Sequence, residues 1–344
     1  MNKPLRLQIP GKLFLAGEYA VTTPGQPALL RPVDRGMVIE ASLQEEQSGQ
    51  ITLYSDQFEE AEKTSWSALS VQNEQALKED NWSFTKVALQ LFQEAQSQLS
   101  LKERPGIKLT IRSQMTSQEG KLGLGSSAAV TVAIIMALHQ VYLPKKENNQ
   151  RAIFKEAAFA HYFVQGSGSL GDIATATYQK TIFYQAPIWI KEKRQWQLQD
   201  FHTLDWSNLQ IKSLDWPKSW SFAIVATHEP ASTKKALAKE SDKEALLEPS
   251  KTAVMAAKNA IEEADYDALK SALKENQKAL KAHLPKGYVT EKLQDFLTIT
   301  NRLDLAGKIS GAGFGDNGFV VGNETHSLFP MKTAARKAAL TIID

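Results

Sequence analysis

The sequence predicts a protein of two domains in which helices and strands are mixed, and three observations carry that expectation. At 344 residues the chain is longer than a single hydrophobic core comfortably serves. Short runs such as residues 5–9 and 107–111 alternate apolar and polar side chains with the two-residue period of a strand. Between such runs lie longer segments such as residues 84–99, where Phe84, Val87, Ala88, Leu91, Phe92, Ala95 and Leu99 recur at helical spacing.

Composition narrows the class of partner. A hydrophobic share of 42% with 23% charged residues is that of an ordinary water-soluble globular protein. The formal net charge of +2 gives no electrostatic case for nucleic acid or a membrane surface as the main partner, and leaves small anionic ligands open. With no cysteine, disulfides, thiol nucleophiles and thiolate metal sites are excluded. The opening MNKPLRLQIPGK lacks the apolar core of a signal peptide, and the apolar run at 128–138 is too short to span a bilayer, so a cytoplasmic location is expected.

In order, the strand at 5–9 is expected to end at Pro10-Gly11, with Lys12 next. The segment PGKLFLAGEYAV (10–21) brings a second apolar run, Gly17 and the pair Glu18-Tyr19, before Pro24-Gly25 turns the chain back. Strands are expected at 38–42 and 51–54, loop or short helix at 59–80, the helix at 84–99 and a strand at 107–111. That strand feeds a loop at 113–122, then GLGSSAA (123–129) and an apolar helix that Pro144 closes. A helix at 153–163 leads to Gln165-Gly166-Ser167-Gly168-Ser169-Leu170-Gly171-Asp172, after which 173–178 resumes an apolar pattern. β-like runs are expected at 182–184 and 188–190, and the dispersed Trp196, Trp206, Trp216 and Trp220 read as packing. A crossing near residue 185 gives domains at 1–185 and 186–344. The second holds a buried strand at 222–226, a segment with Ser232, Thr233, Lys234 and Lys235, and helices at 252–264, 266–283 and 291–301. It closes on a strand at 306–309, a third glycine-rich loop at 310–318 and a strand at 319–321.

The glycine-rich segments carry the chemistry. Gly123 and Gly125 let backbone approach an anion, and the helix that follows aims unpaired N–H groups and the positive end of its dipole at the same point. Ser126 and Ser127 supply hydroxyls able to cap that helix, hold a phosphate oxygen or ligate Mg²⁺. Alone, GLGSS is equally a glycine turn with a serine cap on a core helix. By the same reasoning Asp172 is a helix cap or a catalytic carboxylate, and Lys12 and Lys234-Lys235 are anion contacts or solvated charges.

PGKLFLAGEYAV, GLGSSAAV and KISGAGFGDNGFV, in this order and with GSLGD between the second and third, resemble the three signature motifs of the GHMP kinases. The resemblance covers the whole chain in layout. It implies an α+β fold of two domains, the first of the ribosomal-protein-S5-like type and the second ferredoxin-like, with the active site in the cleft between them. It also implies ATP and Mg²⁺ as cofactors, bound at a loop distinct from Walker A, and no GxxxxGK[ST] occurs in the chain. Carried over, the nucleotide loop is Gly123, Leu124, Gly125, Ser126, Ser127 and Ala128, with Ser127 on the metal, and Lys12 and Asp172 are the active-site pair. Tyr19, Ser169, Ser232, Ser310 and Gly311 join Lys12 and Asp172 on the acceptor side.

Within the superfamily, the GEY ending, GSLGDIA and the aspartate of GAGFGD are most similar to bacterial phosphomevalonate kinases. That similarity implies transfer of the ATP γ-phosphoryl group to 5-phosphomevalonate, giving 5-diphosphomevalonate and ADP on the mevalonate route to isoprenoids. Mevalonate kinase, homoserine kinase, the ATP-dependent diphosphomevalonate decarboxylase and a non-catalytic ATP sensor are the alternatives. The chain departs from the pattern in three places. Gln179-Lys180 replaces a glycine pair, Phe314 stands where glycine is common, and His161 and Gln165 occupy the helix where a second, acidic Mg²⁺ ligand is sought.

Overall fold

The computed structural model describes residues 3–117, 120–121, 123–144, 149–229, 243–315 and 317–343. Its first element is a long antiparallel pair, β1 (Leu5–Ala16) against β2 (Pro27–Gln44), in register from Leu5 opposite Ala41 to Ala16 opposite Leu29. The strand expected to end at Pro10-Gly11 continues through it. A register shift between Pro10 and Gly11 absorbs the proline, which has no N–H for the ladder, and Lys12 resumes pairing opposite Pro32.

Residues 59–80, expected as loop or short helix, hold one strand and two short helices. β3 (Gln50–Ser55) and β4 (Glu62–Ser65) are followed by α1 (Trp66–Ser70) and α2 (Glu74–Glu79). Helix α3 (Ser83–Ala95), strand β5 (Gly106–Ser113) and a hairpin of β6 (Thr116–Ser117) with β7 (Gly120–Lys121) lead into α4 (Ser126–Tyr142). Then come α5 (Gln150–Gln165), α6 (Gly171–Tyr178), β8 (Thr181–Gln185) and β9 (Gln210–Leu214). The seven-stranded sheet runs β4-β3-β5-β2-β8-β9, with β1 also on β2. Its pairs are antiparallel except β3 with β5. Helix α4 is apolar nearly all round, and Ala129, Val132, Ala133, Ile134, Ile135, Ala137 and Leu138 are fully buried, as a helix inside a core requires.

Residues 188–190 form a 3-10 turn (Ile188–Lys191) in place of the β-like run, since a short apolar run has no period of its own. Trp189 within it is buried edge-on against Phe159, Trp196 and Trp206 at 5.9, 5.6 and 5.6 Å. Trp216 and Trp220 meet edge-on at 5.5 Å, so these tryptophans do serve packing.

The second sheet starts with β10 (Ser221–Ala226). Helices α7 (Lys243–Glu263), α8 (Tyr266–His283) and α9 (Glu291–Arg302) precede β11 (Ala306–Ile309) and β12 (Asn317–Gly322). A final helix, α10 (Phe329–Lys337), and strand β13 (Thr341–Ile343) complete the order β11-β12-β10-β13, antiparallel throughout. Because β9 pairs with β8, the first sheet runs on to Leu214, beyond the crossing expected near residue 185. With mostly exposed side chains, β9 carries little of the apolar alternation that marks a strand.

Three contacts join the end of β1 to β11 and the loop after it. Lys308 Nζ donates to Glu18 Oε1 as an ion pair whose side chains are 0% and 3% exposed. Ser310 Oγ donates to the Phe14 carbonyl at 2.9 Å, and the Tyr19 hydroxyl donates to the Ala312 carbonyl. Gly17 permits the chain to reach this junction, since at φ +91° a Cβ there would lie 2.5 Å from the Pro27 oxygen.

Removing one partner of a buried pair leaves the other charge unpaired, whereas removing both does not. Lys308→Met should therefore lower the free energy of unfolding in urea by about 3–5 kcal/mol. Glu18→Gln combined with Lys308→Met should cost less than Lys308→Met alone; a double variant as unstable as the sum of the two singles would show the pair to be uncoupled.

Candidate active site

The glycine loop between β7 and α4 is left-handed at two of its residues, Gly123 at φ +66° and Gly125 at φ +83°. Gly125 is also the N-cap of α4 and, having no side chain, makes no capping bond. Neither Ser126 nor Ser127 caps the helix. The first intrahelical bond runs from the Ala129 N–H to the Gly125 carbonyl at 3.0 Å, so the N–H groups ahead of it point out of the helix end. Such a terminus suits an anion.

Strand β1 is fastened to this loop by its backbone, the Lys12 N–H donating to the Leu124 carbonyl at 2.9 Å. Lys12 and Asp172, 160 positions apart in sequence, are both brought against Gly125. A Cβ on Gly125 would lie 3.3 Å from Lys12 Cε, 3.5 Å from Lys12 Cγ and 3.7 Å from Asp172 Cβ. The Lys12 ammonium stands over the Phe14 ring, 5.3 Å from its centroid, and among the described residues it joins no ion pair. Asp172 is not the cap of α6. Leu170 holds that place at φ +66°, and Asp172, in the first turn, accepts from the Ile173 N–H at Oδ1 over 2.9 Å. A carboxylate in a helix's first turn lies in the favourable field of the dipole.

Ser127 faces His161 of α5, its Oγ 3.0 Å from His161 Nε2. The imidazole is 2% exposed and stacks on Phe84 with centroids 5.1 Å apart. Burial pushes its pKa below the ordinary histidine value, against a smaller upward pull from the Asp172 charge. The Asp172 charge also reaches Tyr184, whose hydroxyl burial already pushes well above the usual phenol value. That hydroxyl donates to the Ser169 carbonyl at 2.6 Å, while Ser169 Oγ accepts from the Gly171 N–H at 3.3 Å.

The third glycine-rich loop meets the end of β1 through the contacts described above. Ser310 is buried with its hydroxyl on the Phe14 carbonyl, and Gly311 is left-handed at φ +79°. Tyr19, at φ +65°, reaches Ala312 in the same loop. Both departures at glycine positions keep a glycine-like backbone. Gln179 caps the end of α6 at φ +55°, its N–H on the Thr175 carbonyl at 2.8 Å, and Phe314 sits at φ +56°, its N–H on the Tyr288 carbonyl at 2.9 Å. Ser232, Lys234, Lys235 and Asp316 lie outside the described residues. Two partners had no sequence signal: Lys308, bonded to Glu18 across 290 positions, and His161 as the neighbour of Ser127. Burial pushes the Lys308 ammonium below its ordinary pKa, with the Glu18 carboxylate opposing.

Residues 83–180, from α3 to the end of α6, match the family model for the GHMP kinases N terminal domain. The phosphomevalonate kinase of Streptomyces sp. (strain CL190) is 28% identical over 334 residues, covering 91% of this chain and 88% of the relative. The chain is thus similar to the GHMP kinases, over residues 83–180 by the family model and over most of its length by this relative. A GHMP relative of narrower overlap, the mevalonate kinase of Methanocaldococcus jannaschii, is 27% identical over 50% of this chain and 51% of its own. Among solved structures, the Lin0012 protein of Listeria innocua superposes with a TM-score of 0.85 at 27% identity, covering 99% of this chain and 97% of that one. The Streptococcus pneumoniae phosphomevalonate kinase, in complex with phosphomevalonate and AMPPNP, superposes with a TM-score of 0.80 at 24% identity, over 99% and 98% of the two chains, and shares the fold. The α+β architecture of this chain is thus that of the GHMP kinases, and among the described residues no helix is long and apolar enough to cross a membrane.

Gly125→Val should abolish binding of a fluorescent ATP analogue, because a branched side chain at φ +83° is strained and projects into Lys12 and the mouth of α4. Unchanged affinity in that variant would remove the loop from the site.

Proposed function

We propose that this protein is a GHMP kinase that transfers the γ-phosphoryl group of ATP to the phosphate of 5-phosphomevalonate, releasing ADP and 5-diphosphomevalonate. The observation that carries the reading is the convergence of Lys12 and Asp172 on the left-handed Gly125 at the uncapped start of α4. Similarity to a phosphomevalonate kinase, 28% identical over nine-tenths of the chain, and the GEY and GAGFGD forms of the motifs favour this acceptor over mevalonate.

In this reading an acceptor phosphate oxygen attacks the γ-phosphorus, a new P–O bond forms, and the bond to the β,γ-bridging oxygen breaks with its electrons going to ADP. Two polyanions meet, so the chain's work is to neutralise and position them. The N–H groups of the Gly123–Ala128 loop hold the triphosphate. Lys12, an ammonium without a carboxylate partner among the described residues, bridges the acceptor oxygen and the γ-phosphoryl group. Asp172 orients Lys12; an acceptor that is already ionised has little need of a general base. Tyr19, Ser169, Ser310 and Gly311 border the acceptor, with Ser169 and Ser310 shaping the loop backbone through the bonds their hydroxyls make.

The residues at the start of α4 also fit a magnesium ion. Ser127 offers a hydroxyl oxygen beside the phosphate-binding N–H groups, and Mg²⁺ takes most of its ligands from phosphate and water, not from a protein cage. When bound, Mg²⁺ would supply charge neutralisation at the phosphate oxygens. The reaction belongs in the cytoplasm on this reading, where ATP is available.

An ADP-release assay across mevalonate, phosphomevalonate, diphosphomevalonate and homoserine tests the proposal. Phosphomevalonate should give the highest kcat/KM, and its KM should rise with ionic strength more than that of a neutral acceptor. Faster turnover of mevalonate would displace the assignment.

A further inference from the structure

We propose that His161 is a positioning residue for the magnesium-binding hydroxyl of Ser127, serving as the acceptor of its proton; the inference rests on the reading of Ser127 given above. A hydroxyl that ligates a cation gives the metal a lone pair and must direct its own hydrogen elsewhere. In this chain the atom opposite Ser127 Oγ is His161 Nε2, at 3.0 Å, which accepts that hydrogen in the tautomer that carries its own proton on Nδ1. Both sides of the bond are held. The imidazole is 2% exposed and stacked on Phe84 at 5.1 Å with 27° between the rings, so it cannot swing away. On the serine side, Thr131 Oγ1 donates to the Ser127 carbonyl at 2.8 Å, one turn along α4. A neutral imidazole has one bare nitrogen, and with Nε2 bare the Ser127 hydrogen points into the α4–α5 interface, leaving the oxygen lone pairs for the cation at the helix mouth. Without an acceptor there, nothing in the α4–α5 interface holds the hydrogen of Ser127, and the lone pairs lose their aim.

The position matters because α5 carries no acidic residue on this stretch: Ala157, Ala158, Ala160 and His161 are buried, and Gln165 ends the helix. The helix thus acts on the metal through Ser127 and not as a ligand. Partners that orient a metal ligand in this way are worth about 10–100-fold in metal affinity.

Mn²⁺ affinity, read by electron paramagnetic resonance with a non-hydrolysable ATP analogue present, tests the assignment in the full-length protein. His161→Phe keeps an aromatic ring on Phe84 but has no acceptor, and should weaken Mn²⁺ by about 10–100-fold while metal-free affinity for a fluorescent ATP analogue stays at the wild-type value. His161→Gln restores an amide oxygen within reach of Ser127 and should recover most of the loss. Wild-type Mn²⁺ affinity in His161→Phe, an equal loss of metal-free nucleotide affinity, or a glutamine variant no better than phenylalanine would each overturn the proposal. Ser127→Ala, measured alongside, separates the two layers: if its Mn²⁺ affinity is unchanged, the reading of Ser127 fails and the role of His161 with it, whereas a loss in Ser127→Ala without one in His161→Phe overturns the role of His161 alone.

Discussion

The site depends on how closely β1 approaches the loop that opens α4. The Lys12 N–H bonds the Leu124 carbonyl at 2.9 Å, and a Cβ on Gly11 would stand 2.8 Å from that same oxygen. Only a glycine before the lysine lets the strand lie against the loop, and a glycine at 125 keeps a Cβ from crowding the lysine stem beside it. The register shift at Pro10 has the same outcome, since it lets a strand containing a proline carry on into the site. Position and chemistry are therefore set by backbone contact, and the long Lys12 side chain is directed before any ligand binds.

Beside apolar packing, polar contacts tie the second sheet to this assembly, and one of them is buried on both sides. The Glu18–Lys308 pair is buried on both sides, with Glu18 two residues past the end of β1 and Lys308 on β11. Taking such charges out of water is costly, so a pair of this kind is better understood as fixing one arrangement than as a large net gain in stability. Ser310 and Tyr19 make their bonds within a few residues of it, to Phe14 and Ala312. The third glycine loop is thereby placed relative to Lys12, whose strand carries Phe14 two residues later.

Much of this was legible in the sequence, and what was not has physical reasons. The helical stripe at 84–99 and the apolar run after GLGSSAA became α3 and α4 because burial of one face, or of the whole helix, is written in residue spacing. The pairing of Lys12 with Asp172 around Gly125 followed from the motif resemblance and not from spacing, since no local pattern links residues so far apart. Periodicity stopped at Pro10-Gly11 because a bulge resets the alternation without ending the strand. Strand β9 escaped because its side chains are mostly exposed, and residues 188–190 were misread because three apolar residues fit a helical turn as well as a strand. Glycine substitutes were readable as departures but not in effect: Gln179 and Phe314 both adopt positive φ, held there by backbone bonds to Thr175 and Tyr288. The partners of Glu18 and Ser127 are tertiary facts with no one-dimensional trace.

In the mechanism we propose, Lys12 carries the charge that shifts during transfer and Asp172 acts through it. Turnover rates at saturating substrates for Lys12→Met, Asp172→Asn and the double variant, with ATP affinity measured in each, test it most directly. Lys12→Met should show a severe loss of kcat with ATP affinity retained, because the loop backbone supplies most of the ground-state binding, and the double variant should be little slower than Lys12→Met alone. A further loss of about 10²–10⁴-fold in the double variant would make Asp172 an independent general base, and near-wild-type kcat in Lys12→Met would contradict the mechanism.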